Sequence, residues 1–313
     1  MIMSTISRYE KSLGNNYVVA LNKEGKNIFL KESVDFKLKS PAPIGDCSKW
    51  FTTAIALIFV DEGKINLDDP VSKYIPLFEK YMKGYITIRN CLSHTSGIES
   101  ETQGVVKLVQ KSKFETLEEE VNYYASKKSI IDNPGTHFTY GGIGPNIVAR
   151  VIEIVSKKTF DKVALEKLFR PLAMKNASFY SEKGAINASN GATASAFDMN
   201  NFLQMILNKG IFNGKKILSE KAIDEMKRNH FPKAILRYSP DDMNGLNFAF
   251  GTWKKTSVTS RNNTILAYPS LTGSWIWIDI EKKYSGVILL EKPTSFNKYD
   301  FFEELTSVIE RVK

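Results

Sequence analysis

Between Ser48 and Asp61 the chain carries Trp50, Phe51, Ala54, Ile55, Leu57, Ile58 and Phe59. Apolar positions spread nearly all the way round a 3.6-residue turn predict a helix buried on every side rather than one with a solvent face. Gly63 stands where a left-handed residue ends such a helix. Upstream, Val18–Leu21 and Asn27–Leu30 predict two strands about a turn at Asn22–Lys26. Thr116 with Glu119 has the spacing of a capping box for a helix to Ser126, and Pro145 suits the first turn of a helix to about Lys157. Ser195 caps 196–208, which Gly210 stops, and Ser219 caps a short helix to about Asn229. The last third changes period. Phe248–Trp253, Ser274–Asp279 and Gly286–Leu290 read as strands, and a closing helix over Tyr299–Val312 sets Phe302, Leu305, Ile309 and Val312 on one face.

Strands at both ends with helices between them predict an α+β fold. Its antiparallel sheet is assembled from both termini and flanked by N- and C-terminal helices. Residues 1–65 and 191–313 form the sheet lobe on this reading, and 66–190 form a mostly helical lobe. A chain of 313 residues, 42% hydrophobic and 25% charged, has ample material for such a core.

The first chemistry-bearing feature opens the buried helix. Asp46-Cys47-Ser48-Lys49 follows Pro43-Ile44-Gly45 and has the frame of a Ser-x-x-Lys motif, with an aspartate in the serine's place. One helical turn puts positions 46 and 49 on the same face. A lysine there would take the proton of a hydroxyl nucleophile. Aspartate keeps the geometry and loses the hydroxyl. Cys47 and Ser48, as immediate neighbours, do not share the face that meets Lys49.

Further segments lie in order around this one: Val60-Asp61-Glu62-Gly63-Lys64, Leu67-Asp68-Asp69-Pro70-Val71, Ile86 to Ile98 with Leu92-Ser93-His94-Thr95-Ser96-Gly97, and Pro171 to Phe179. Together they resemble the serine beta-lactamase-related family of class C beta-lactamases, D-alanyl-D-alanine carboxypeptidases and related esterases. The resemblance runs from about Tyr17 to the C-terminus. It implies a beta-lactamase/transpeptidase-like fold and a cleft for a small-molecule or peptide-like substrate: an amide, ester or lactam.

The resemblance also implies roles. Tyr140, in His137-Phe138-Thr139-Tyr140-Gly141-Gly142, would exchange a proton with Lys49, its phenol tuned by the nearby ammonium. Gly142 takes the place of the family's amide side chain, as in an esterase-like branch. On an edge strand facing the nucleophile, Tyr268 would stand at the family's Lys or His and Ser270 at its glycine. The Leu271 N–H would be an oxyanion donor beside that of residue 46. The Ser93–Gly97 segment is expected to be a structural turn, with His94 outside the chemistry.

Three readings of Asp46 stay open: a pseudoenzyme that keeps the cleft for binding, an enzyme using Asp46, Lys49 and Tyr140 for altered acid–base chemistry, and an Asp46 variant of an ordinary serine hydrolase. Nothing implies a cofactor, and His137 and His230 lack the partner spacing of a metal site. The net charge of +9 lies in scattered lysine pairs with no basic-aromatic stripe, so a solvated surface is expected and nucleic acid is not. Cys47 and Cys91 are expected to be buried free thiols. No stretch approaches the roughly 20 apolar residues of a membrane-spanning helix. Met1–Asn15 lacks the apolar run of a signal peptide, which suggests a cytoplasmic chain or a processed exported one.

Overall fold

In the computed structural model, the described residues are 1–313 apart from 101–111, 182, 231–234, 244–245, 257–263, 271–273, 293–297 and 312–313. Among them a seven-stranded antiparallel sheet runs in the order Asn247–Phe248, Trp253–Thr256, Thr264–Pro269, Trp275–Asp279, Tyr284–Leu290, Tyr17–Lys23, Lys26–Glu32. Both chain ends contribute, with Val18 opposite Leu289.

The sheet is apolar on both faces. Tyr17, Val19, Leu21, Ile265, Trp275 and Trp277 point to one side, where helices Ile2–Leu13 and Lys298–Arg311 cover them with Ile6, Phe301, Phe302 and Leu305. The Trp275 and Phe302 rings stack at 4.2 Å. The alternate residues Val18, Ala20, Leu266, Tyr268, Ile276 and Ile278 join the main core. Strict alternation within each strand thus decides that Tyr268 faces inward.

The centre of that core is the helix Ser48–Asp61, buried from Ser48 to Phe59. Phe51 meets Phe169 and Phe202 edge-on at 5.4 and 4.9 Å. Its end has the geometry expected of Gly63. That residue takes φ +66, while Gly63 N bonds to Val60 O and Lys64 N to Phe59 O. From Asn66 to Asn190 the described elements are mainly helices, including Leu77–Lys80, Ile88–Leu92, Leu117–Lys127 and Ile143–Ser156.

Four details differ from the sequence reading. The first hairpin is tighter: its strands reach Lys23 and Lys26, and Glu24 and Gly25 turn the chain with φ of +50 and +80. Phe248–Trp253 is not one strand. Gly251, at φ +73, breaks it into Asn247–Phe248 and Trp253–Thr256. Thr264–Pro269 is an interior strand with a neighbour on each side, not an edge, because Trp253–Thr256 pairs along it. At Thr116 half of the capping box forms. Thr116 accepts from Glu119 N, but the Glu119 carboxylate accepts from Glu115 N instead. Val312 lies outside the described residues.

Candidate active site

A 3₁₀ turn, Gly45–Cys47, leads into the buried helix, with Gly45 at φ +54. Ser48 fastens this turn. Its hydroxyl donates to Gly45 O at 2.6 Å and accepts from Ala192 N at 3.0 Å. With donor and acceptor both engaged in the backbone, Ser48 is a structural residue. Cys47 packs its thiol toward Tyr268 O at 3.6 Å. Both cysteines are buried and free.

One turn along, Lys49 Nζ donates to Asp46 Oδ1 at 2.5 Å and to Ser189 O at 3.3 Å. It also lies 4.7 Å from the centre of the Tyr140 ring. Tyr140 follows the short strand His137–Thr139, and its N–H bonds to Tyr238 O at 3.1 Å. Its hydroxyl shares a 2.5 Å hydrogen bond with that of Tyr268, from the strand Thr264–Pro269. Asp46 and Tyr268 are 0% exposed, Lys49 and Tyr140 1%. The four side chains therefore form a chain of contacts closed to solvent.

Gly142 is the N-cap of the helix Ile143–Ser156, two residues past Tyr140, and is buried. Ser270 is also buried, and its N–H bonds to Ser274 O at 2.8 Å, so it continues the ladder at the end of its strand. Leu271 lies outside the described residues.

Burial dominates the electrostatics. It pushes the Lys49 ammonium below its ordinary pKa, against the opposing pull of Asp46. It lifts the Tyr140 phenol well above the usual range, and the Asp46 carboxylate and then Tyr268 push further in the same direction. Tyr268 is raised by burial and by Asp46. The sequence reading had Lys49 lowering the Tyr140 phenol. The direction is the reverse: the ammonium lies over the Tyr140 ring, and desolvation followed by the Asp46 carboxylate raises the phenol.

Three buried polar atoms in and around this cluster make no hydrogen bond among the described residues: Asp46 Oδ2, Ser189 Oγ and His94 Nε2. His94, at φ +57, packs its ring against Tyr140 at 4.8 Å, Phe248 at 4.7 Å and Phe138 at 5.8 Å. Burial and then the Lys49 charge hold it well below the ordinary histidine range, so it is a neutral wall of the site. Ser189, Tyr238 and the Tyr140–Tyr268 bond escaped the sequence reading. The resemblance brings Tyr140 and Tyr268 to one cleft, but no local pattern shows that their hydroxyls bond to each other, and Ser189 acts through its carbonyl, which every residue has. Among the described residues no cluster of His, Cys, Asp and Glu could hold a metal, and no helix is long and apolar enough to cross a membrane.

The family model described as Beta-lactamase matches residues 16–304. The chain belongs to the beta-lactamase family. Protein flp of Staphylococcus aureus (strain NCTC 8325 / PS 47) is 30% identical over 173 residues, 51% of this chain and 34% of that protein. The D-alanyl-D-alanine-carboxypeptidase/endopeptidase AmpH of Escherichia coli (strain K12) is 26% identical over 180 residues, 56% of this chain and 46% of AmpH. The chain thus matches less than half the length of each of these curated relatives. Among solved structures, a protein provisionally described as a beta-lactamase from Bacteroides dorei DSM 17855 superposes with a TM-score of 0.86 at 23% identity, covering 98% of this chain and 97% of that one. The octameric penicillin-binding protein homologue from Pyrococcus abyssi gives 0.81 at 19% identity, over 99% and 77%. EstCE1, a hydrolase with promiscuous acyltransferase activity, gives 0.78 at 17% identity, over 97% of each chain. At these identities the structural likeness speaks for the beta-lactamase/transpeptidase fold alone.

Proposed function

We propose that this beta-lactamase-family chain binds a small amide, ester or lactam between its sheet lobe (1–65 and 191–313) and its helical lobe (66–190), and forms no acyl-enzyme at residue 46. The observation that carries this is the Asp46–Lys49 ion pair at 2.5 Å, both side chains buried. Position 46 offers no hydroxyl. Lys49 is held by a carboxylate and a carbonyl rather than facing a nucleophile's proton. Attack by a carboxylate on an amide or ester would produce a mixed anhydride, a high-energy intermediate with a good leaving group in the wrong place. Because Asp46, Lys49, Tyr140 and Tyr268 are all buried, a ligand that reaches Lys49 would have to displace part of this cluster.

A second reading has a specific observation behind it. The lowered pKa of Lys49 favours a neutral amine more than an exposed lysine would, which suits acid–base work by Asp46, Lys49 and Tyr140. Intact-mass measurement after incubation with benzylpenicillin and a fluorophosphonate separates the readings from ordinary serine chemistry. The unmodified chain is expected to gain no mass, and Asp46→Ser to gain a partial adduct. A stable adduct on the unmodified chain would overturn the proposal. Turnover of a panel of esters, lactams and D-amino acid peptides without an adduct, lost in Lys49→Met, would favour the second reading.

A further inference from the structure

Away from the site, the turn after the helix Leu77–Lys80 carries three exposed large side chains within five residues: Tyr81 at 41%, Met82 at 81% and Tyr85 at 54%. Single exposed apolar residues are common on soluble proteins, but three on one turn make a patch. This one is also built. Met82 sits at φ +58, a conformation costly for a long side chain, which projects it outward. The turn is closed by Met82 N to Glu79 O at 3.0 Å and Lys83 N to Phe78 O at 2.7 Å.

Lys83 is itself buried, and its ammonium donates to Ala125 O near the end of the helix Leu117–Lys127. That bond ties the turn to the last turn of the helix, which carries Lys127. Lys80 and Lys127 are exposed and Lys128 is half-buried, while Glu79 is the acidic neighbour on the turn. Lys80 and Lys83 each place Nζ 5.9 Å from the Tyr81 ring. The tip therefore combines two tyrosines and a methionine with a basic rim, on a chain of net charge +9.

We propose that this tip docks the protein peripherally on an anionic lipid surface. The tyrosines and Met82 would enter the headgroup layer, and Lys80 and Lys127 would face the lipid phosphates. The chemistry selects a membrane over a protein. Three side chains cover far less than the roughly 800 Å² per partner of a stable protein interface. Amphipathic rings beside snorkelling lysines suit a layer that is apolar below and charged above. Each basic residue near an anionic surface contributes roughly a five-fold gain in partitioning, so the rim matters as much as the apolar tip.

The test is co-sedimentation of the full chain with vesicles of phosphatidylcholine and phosphatidylglycerol in about equal parts, against phosphatidylcholine alone. Binding is expected with phosphatidylglycerol only, falling steeply with added salt. Met82→Asp with Tyr85→Ser should lower partitioning by about ten-fold or more, and Lys80→Glu with Lys127→Glu should do the same while leaving the apolar tip intact. Lys215→Glu with Lys216→Glu makes the same charge change in an exposed hairpin elsewhere and is expected to retain most of the binding. Thermal melts confirm that each variant is folded, and if the tip variant is not, the charge variants decide. Absence of binding, equal binding to phosphatidylcholine, or equal loss from the hairpin variant would overturn the proposal.

Discussion

The hydroxyls of Tyr140 and Tyr268, 128 residues apart in the chain, lie 2.5 Å from one another above a buried lysine–aspartate pair. Both phenols are held protonated, first by burial and then by the Asp46 carboxylate. Their folded pKa values lie above the ordinary value of 10.0, so the unfolded chain releases these protons first. The stability they carry is complete below about pH 10 and is lost as the pH rises beyond it. Ultraviolet titration of the native chain should show tyrosines that resist ionisation until the protein unfolds. Tyr140→Phe with Tyr268→Phe should remove part of that alkaline step.

The ion pair between Asp46 and Lys49 should act as a unit. Asp46→Ala or Lys49→Ala each leaves one charge buried without its partner and should cost about 3–5 kcal/mol in urea denaturation. Asp46→Asn combined with Lys49→Met should cost less than either single change, because neither buried charge remains. A double variant at least as unstable as either single would show that the two charges do not depend on one another.

Two histidines set an acid-side slope. His94 and His230 are both held below the ordinary value of 6.5, each mainly by burial, with Lys49 acting on the first and Arg89 among the groups acting on the second. His230 accepts from the Arg89 guanidinium at 3.1 Å, which a protonated ring cannot do. The folded state therefore binds these protons more weakly than the unfolded one. Stability should be intact above about pH 6.5 and fall as the pH drops below it. Denaturation midpoints between pH 7.5 and pH 5.5 should show this decline, and His94→Gln should flatten it.

Gly251 and Gly63 offer a matched pair. Both have positive φ, +73 and +66. A Cβ at Gly251 would come 2.1 Å from Thr53 Oγ1 and 2.9 Å from Lys49 O, whereas one at Gly63 would meet nothing within 4 Å. Gly63→Ala should cost about 1 kcal/mol, the conformational penalty alone. Gly251→Ala should cost several-fold more and shift the turn that presses on the Lys49 carbonyl. Thermal melts of the two variants give the comparison.

How much of this was legible follows from the range of each interaction. The Asp46–Lys49 relation is one helical turn and was readable from spacing. The helix caps at Gly63 and Ser195 are equally local, and both form. The sheet was readable in outline because its strands are short continuous runs of β-branched and aromatic residues such as Trp275–Asp279 and Tyr284–Leu290, yet the interior place of Thr264–Pro269 depends on Trp253–Thr256 laying down beside it, a pairing that no local pattern encodes. The same distance hid the bond between Tyr140 and Tyr268. The phenol's pKa was misjudged because the letters show which charges are near in sequence but not how much water is removed. At Thr116 the letters matched a capping box, but Glu115 N competed for the Glu119 carboxylate and won.

The strand Tyr17–Lys23 lies between Lys26–Glu32 and Tyr284–Leu290. Its hairpin partner is made within a few residues, but its other neighbour arrives about 270 residues later, since Val18 sits opposite Leu289. At a synthesis rate of roughly 5–20 residues per second, the hairpin must wait about 15–50 seconds with an apolar edge unpaired. Every nascent copy passes through that interval. Its opening segment is then a template for any extended chain nearby, and the final closure of the sheet is a long-range, slow event. For this protein, the vulnerable moment in a cell comes before the last strand leaves the ribosome, and it is there that a holdase chaperone would have most to protect.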